Sequence, residues 1–130
     1  MGQPAAKQGD QITAVDIHIV MIPSPGGEVP TPLPHPFTGV INGSLSSNVQ
    51  IMGMPAATLG STADNMPPHI PQGGHFQIEP TNKAQIIMGS PTVLINNKPA
   101  ARNGDSATTC NDPSPLPVGT VIAVGTVLIG

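Results

Sequence analysis

The chain has 130 residues, room for one ordinary domain. It carries 17 Pro and 15 Gly, together about a quarter of its length. That load excludes long helices, since an interior Pro costs a helix about 3 kcal/mol and an interior Gly about 1. Charged residues are only 8%, the net charge is −3, and no basic run occurs, so nucleic-acid binding is not expected.

No apolar stretch approaches the ~20 residues that span a bilayer, so stable membrane insertion is not expected either. The opening Met1-Gly2-Gln3-Pro4-Ala5-Ala6-Lys7 lacks the basic and apolar segments of a signal peptide. Synthesis in the cytoplasm, without a cleaved leader, is the expectation. Cys110 stands alone and excludes an internal disulfide framework. The apolar residues come in short β-branched runs, which predict an all-β domain over 1–130.

In chain order the first element is a corner, Pro4-Ala5-Ala6-Lys7-Gln8-Gly9-Asp10. His18 follows Asp10 by eight residues, inside Asp16-Ile17-His18-Ile19. A proline-rich stretch, 23–36, reads as one long loop holding Pro34-His35-Pro36. An apolar segment, Gly39-Val40-Ile41, then precedes a strand core, Val49-Gln50-Ile51, across a Gly-containing turn. The corner recurs as Pro55-Ala56-Ala57-Thr58-Leu59-Gly60-Ser61, and His69 again comes eight residues after its end. His75 leads into a short strand, His75-Phe76-Gln77-Ile78. Ile86-Ile87-Met88 and Val93-Leu94-Ile95 repeat the paired strands, each pair reading as a hairpin. The third corner, Pro99-Ala100-Ala101-Arg102-Asn103-Gly104-Asp105, is followed after five residues by Cys110. Val121-Ile122-Ala123-Val124 and Val127-Leu128-Ile129 close the chain.

The corners at 4–10, 55–61 and 99–105 define three repeats. Two of them have a Val-x-Ile strand six residues before the Pro; the first has none, because Pro4 almost begins the chain. The missing strand is the last one, Val127-Leu128-Ile129. The repeats therefore predict a closed ring of three units with adjacent N- and C-termini. In each corner Pro fixes φ, the paired Ala residues allow close packing near an axis, and Gly permits a sharp turn. The Asp residues are expected to close that turn rather than to catalyse.

His18, His69 and Cys110 occupy equivalent segments after the three corners, and imidazole and thiolate are the ligands zinc prefers. A fourth place falls to His35 or His75. His35 is preferred, because flanking prolines fix its backbone, whereas His75 begins a strand and can face solvent. Cys110 as a nucleophile with a His base, or a zinc hydrolase, is the enzymatic rival. Neither a Gly-rich oxyanion loop nor a well-placed spare acid supports it, so no catalysis is expected.

The stretch from Gly89 to Asp105, with Pro-Ala-Ala-Arg intact at 99–102 and degenerate at 4–7 and 55–58, resembles the PAAR-repeat family. That resemblance implies a small cone of three pseudo-three-fold β repeats with a metal near its tip. Such cones cap the trimeric spike of contractile injection machines: type VI secretion systems, phage tails and extracellular contractile particles. It also implies one metal, usually zinc with iron the lesser candidate, held by three His and one Cys. Here these would be His18, His69, Cys110 and one of His35 or His75. The implied partner is a trimeric spike protein, one tip per trimer, with effector cargo as a further possibility and membrane puncture as the task. His18 stands later than the family's compact His-Gly-Gly, and the proline stretch is an addition that looks closer to phage-like particles. A metal-stabilised β-repeat module for polysaccharide is the alternative, disfavoured because Trp and Tyr stacking platforms are absent.

Overall fold

The computed structural model describes residues 2–130; Met1, part of the expected domain, lies outside the described residues. Among these residues there are strands and no helix. In chain order the first seven strands are β1 (Gln3–Pro4), β2 (Gln11–Ser24), β3 (Gly27–Gly43), β4 (Gln50–Ile51), β5 (Met54–Pro55), β6 (Thr62–Asn65) and β7 (His75–Phe76). The remainder are β8 (Lys83–Ile86), β9 (Leu94–Ile95), β10 (Lys98–Pro99), β11 (Ser106–Thr109), β12 (Leu116–Ile122) and β13 (Leu128–Ile129).

Six strands form a closed antiparallel sheet in the order β2, β3, β6, β8, β11, β12 and back to β2. Closure leaves no free edge within the ring. Each repeat contributes the strand that leaves its corner and the strand that precedes the next hairpin. Ile12, Ala63 and Ala107, each two residues past a corner, are fully buried, as are Ile41, Ile86 and Val121. Four of the six are β-branched and two are Ala, so large and small side chains share the narrow interior.

Below the ring the three corners meet on one axis. The Ala6 N–H donates to the Ala101 carbonyl (2.9 Å), Ala101 to Ala57 (3.1 Å) and Ala57 to Ala6 (3.0 Å). A second circuit runs from Gln8 to the Pro55 carbonyl (2.9 Å), from Leu59 to Pro99 (2.9 Å) and from Asn103 to Pro4 (2.8 Å). Ala6, Ala57 and Ala101 have no exposed surface; a larger side chain would hold the three backbones apart. The carboxyl of Asp10 accepts from the Lys7 N–H and that of Asp105 from the Arg102 N–H, and the Ser61 hydroxyl replaces them at Thr58. Turn closure is thus what these residues do.

The Val-x-Ile strands pair differently from the expectation. Each folds back on the residues entering its own corner, β4 with β5, β9 with β10 and β13 with β1. The upstream segments join the closed sheet instead. Two-residue turns, Met52-Gly53 and Asn96-Asn97, make this possible, with φ between 52° and 83° at all four positions, the geometry that matches strand twist in a tight hairpin. In the third hairpin the two strands come from opposite ends of the chain, and Gly130 and Gly2 stand at the positions that the turn residues hold in the other two. A Cβ at Gly2 would come within 2.8 Å of the Leu128 Cβ, so the terminal strands are in close contact. Ile51, Ile95 and Ile129 pack with Ala5, Ala56 and Ala100 as a second small core.

The segment 23–36 is not a loop. Apart from the turn around Pro25 and Gly26, it continues β2 and β3 as one long hairpin paired through Ser24↔Gly27. Pro30, Pro32, Pro34 and Pro36 alternate along β3, opposite Met21, Ile19, Ile17 and Val15. Ile17 and Ile19 turn their backbone groups away from β3, toward Asn111, Asp112 and Gln77. The prolines opposite them therefore have their nitrogens on the outer edge, where no ladder bond is lost. Proline is tolerated in a strand at such an edge.

Candidate metal centre

The face of the long hairpin that continues the barrel interior carries the site. From Ile12, alternate residues of β2 point inward: Ile12, Ala14, Asp16, His18 and Val20. On β3 the inward series includes His35 and Phe37. Asp16 lies directly opposite His35 in the register. Inside the ring this face is apolar; beyond the ring it becomes polar while staying buried.

His18, His35 and His69 gather there, with ring centroids 5.0, 5.3 and 5.6 Å apart. Phe76 covers His18 and His35, and Phe37 meets His69. Cys110 is buried and free of any disulfide. One ligand atom each from Asp16, His18, His69 and Cys110 lies within 4.8 Å of the other three. Of the sequence-predicted residues, His18, His69 and Cys110 thus share this group with Asp16, and His35 packs its ring against those of His18 and His69. His75 stands apart: its side chain is 61% exposed on β7 and sits 3.1 Å from Glu28.

Outer contacts orient the rings. His18 Nδ1 meets the Asp112 carboxylate at 3.3 Å, and His35 Nδ1 donates to the Leu33 carbonyl at 3.0 Å. Both Nε2 atoms are buried without a hydrogen-bond partner. An unpaired buried acceptor costs roughly 1–3 kcal/mol, so two on rings in mutual contact call for a ligand. The Asn65 amide donates to His69 Nδ1 (3.3 Å), which leaves the His69 Nε2 hydrogen directed at Asp16 (2.8 Å). Fixing one ring nitrogen so that the other is presented is how metal-binding histidines are held.

Burial holds the His35 imidazole below its usual pKa, with the nearby His69 and His18 adding to the effect and the Leu33 carbonyl opposing it. Burial, and then the Asp16 carboxylate, push the Cys110 thiol up to about 11. Imidazoles, two of them with unpartnered Nε2 atoms, together with a thiol and a carboxylate form a donor set that fits a metal ion. When bound, such an ion supplies a crosslink between segments from all three repeats. Two open hollows reach the cluster, one beside His35 and His69, the other beside His18 and Cys110.

Three contributors were not foreseen from the sequence: Asp16, Asn111 and Asp112. Asn111 accepts from the Ile17 N–H (2.7 Å), and Asp112 accepts from the Ile19 N–H (2.8 Å). Both pin the segment after Cys110 to the outer edge of β2. The phase of β2 supplies a signal for Asp16, because Ile12 faces inward and Asp16 lies four residues further on the same face.

A family model described as PAAR motif matches residues 21–113 and, again, 77–130. No curated protein matches the chain.

Proposed function

The chain belongs to the PAAR-motif family, and we propose on that premise that it is the tip of a contractile injection spike, seated on a trimeric spike protein, one chain per trimer. The observation that carries the reading is the axial circuit of Ala6, Ala57 and Ala101. A single chain with internal three-fold pseudosymmetry meets a three-fold partner without mismatch.

The surface for that partner is the hairpin end. Leu94 and Leu128 occupy equivalent positions on two hairpins and are 61% and 59% exposed. Met52, Met54 and Val127 add exposed apolar surface beside them. Side chains of this kind are what a docked spike would cover. The polar cluster lies past the opposite end of the ring, along β2 and β3. There His18, His35, His69 and Cys110 would hold one structural metal ion, zinc before iron, where little apolar core is available. Structural zinc contributes on the order of 10 kcal/mol of apparent binding free energy to a fold. A tip so crosslinked resists deformation when sheath contraction drives it at a membrane. The role is mechanical rather than catalytic: the chain is made in the cytoplasm, loaded on the particle and delivered with it.

Co-purification with a trimeric spike tests this reading. Mass measurement should give one chain per three spike chains, and the chain alone should be monomeric by light scattering. A stable homotrimer of the chain, or retention on polysaccharide resin without spike binding, would overturn it.

A further inference from the structure

Among the described residues, Asp16 is the one side-chain carboxylate with no exposed surface, and no Lys or Arg pairs with it. Its hydrogen-bond donors are Thr109 Oγ1, Asn111 Nδ2 (3.3 Å), His69 Nε2 (2.8 Å) and Cys110 Sγ (3.4 Å). Lys7, Lys83 and Arg102 are occupied elsewhere by Asp10, Asp64 and Asp105. An ionised carboxylate in that position is costly unless a positive charge shares its site. Its two oxygens are divided in function. Thr109 and Asn111 fix Oδ1, whereas Oδ2 is shared by His69 and Cys110, two groups that a metal in the cluster would engage.

Charge arithmetic supplies the second line of argument. Three neutral imidazoles and one thiolate around a divalent ion leave one buried positive charge. The Asp16 carboxylate, which lies within the group of ligand atoms, brings the sum inside that group to zero, whereas Asp112 stands outside it, against His18 Nδ1.

We propose that Asp16 is the second anion of the metal centre, its Oδ2 facing the bound ion, so that with the Cys110 thiolate it neutralises a divalent cation and makes the site selective for that charge. The inference rests on the metal reading above and goes beyond it, because it assigns the selectivity to a residue outside the three-His, one-Cys set. A soft monovalent ion such as Cu⁺ is already neutralised by the thiolate alone and gains nothing from Asp16.

The test compares Zn²⁺ and Cu⁺ affinity, by competition with chelators of known strength, in the wild-type chain and in Asp16→Asn. The Asn side chain keeps the shape and removes the charge. Zn²⁺ affinity should fall by about 10–100-fold, the usual cost of losing a supporting group at a metal site, while Cu⁺ affinity stays put. Asp16→Glu should retain more Zn²⁺ affinity than Asp16→Asn. Equal Zn²⁺ affinity in Asp16→Asn and wild type would overturn the proposal, and so would equal losses for both ions. A wild-type chain that binds neither ion would instead overturn the metal reading itself. A crystal structure of the zinc-loaded wild-type chain decides independently of whether the variant folds. Oδ2 should lie within about 4 Å of the ion, where opposite charges couple strongly; a carboxylate turned away sinks the assignment.

Discussion

Pro4 lies opposite Leu128 in the register that Pro99 keeps with Leu94 and Pro55 with Gln50. The two ends of the chain are therefore halves of one hairpin, and the Ala5 N–H closes it on the Val127 carbonyl at 2.8 Å. The Gly130 carbonyl is held in turn by the Ser90 hydroxyl at 2.5 Å. Chain ends usually tolerate trimming; this one should not. Ile129→Ala removes a buried side chain from the second core and should cost about 2–5 kcal/mol. Deleting 127–130 should cost more, read as a fall in melting temperature. A truncated chain that melts with the wild type would show that the third hairpin contributes nothing.

The axial alanines set a steric limit. Each of Ala6, Ala57 and Ala101 donates to the next across the axis, and none has exposed surface. Replacing Ala57 by Val adds two methyl groups where three backbones converge, and overpacking of this kind costs about 1–3 kcal/mol. Urea denaturation should show a lower midpoint with little change in slope. An unchanged midpoint would mean that the axis has spare room.

The prolines of β3 protect an edge. Among the described residues no strand pairs with the outer side of β3 from Gly27 to Thr38, and Pro30, Pro32, Pro34 and Pro36 remove N–H donors from that side. Open edges recruit other strands. The double change Pro32→Thr and Pro34→Thr should leave the monomer folded but drive concentration-dependent association, seen by light scattering. A variant that stays monomeric at high concentration would assign the prolines another purpose.

The same prolines explain what was and was not legible in the sequence. The corners were readable because Pro-Ala-Ala-x-x-Gly-Asp serves one geometric need three times, and ring closure followed from the strand missing before Pro4. The stretch Val29-Pro30-Thr31-Pro32-Leu33-Pro34-His35-Pro36-Phe37 was misread as a loop because proline is weighed as a breaker. Its strict period of two is a strand period, and only an edge with its donors facing outward reconciles the two. At the site, His and Cys were found through repeat equivalence. Asp16 was hidden because Val15, Ile17 and Ile19 look like the buried partners in that alternation. Tertiary packing reverses it: Val15 is 60% exposed and Asp16 is not exposed at all.

Metal, thiol and fold should be lost together. A metal held only by the folded chain stabilises it through mass action. Cys110→Ser should therefore lower both bound metal and melting temperature, as should His18→Ala, His69→Ala and His35→Ala. His75→Ala should change neither, since that ring faces Glu28 at the surface. The elevated thiol pKa gives this coupling a pH dependence. Without metal, Cys110 keeps its proton up to about 11, so uptake must release that proton. Metal affinity should then rise roughly tenfold per pH unit over the range above imidazole titration and below the thiol value. Cys110→Ser, having no thiol proton to release, should lose that slope. Calorimetric titration in buffers of different ionisation enthalpy counts the proton directly. A wild-type chain whose metal affinity is flat with pH would remove Cys110 from the site, whatever its burial.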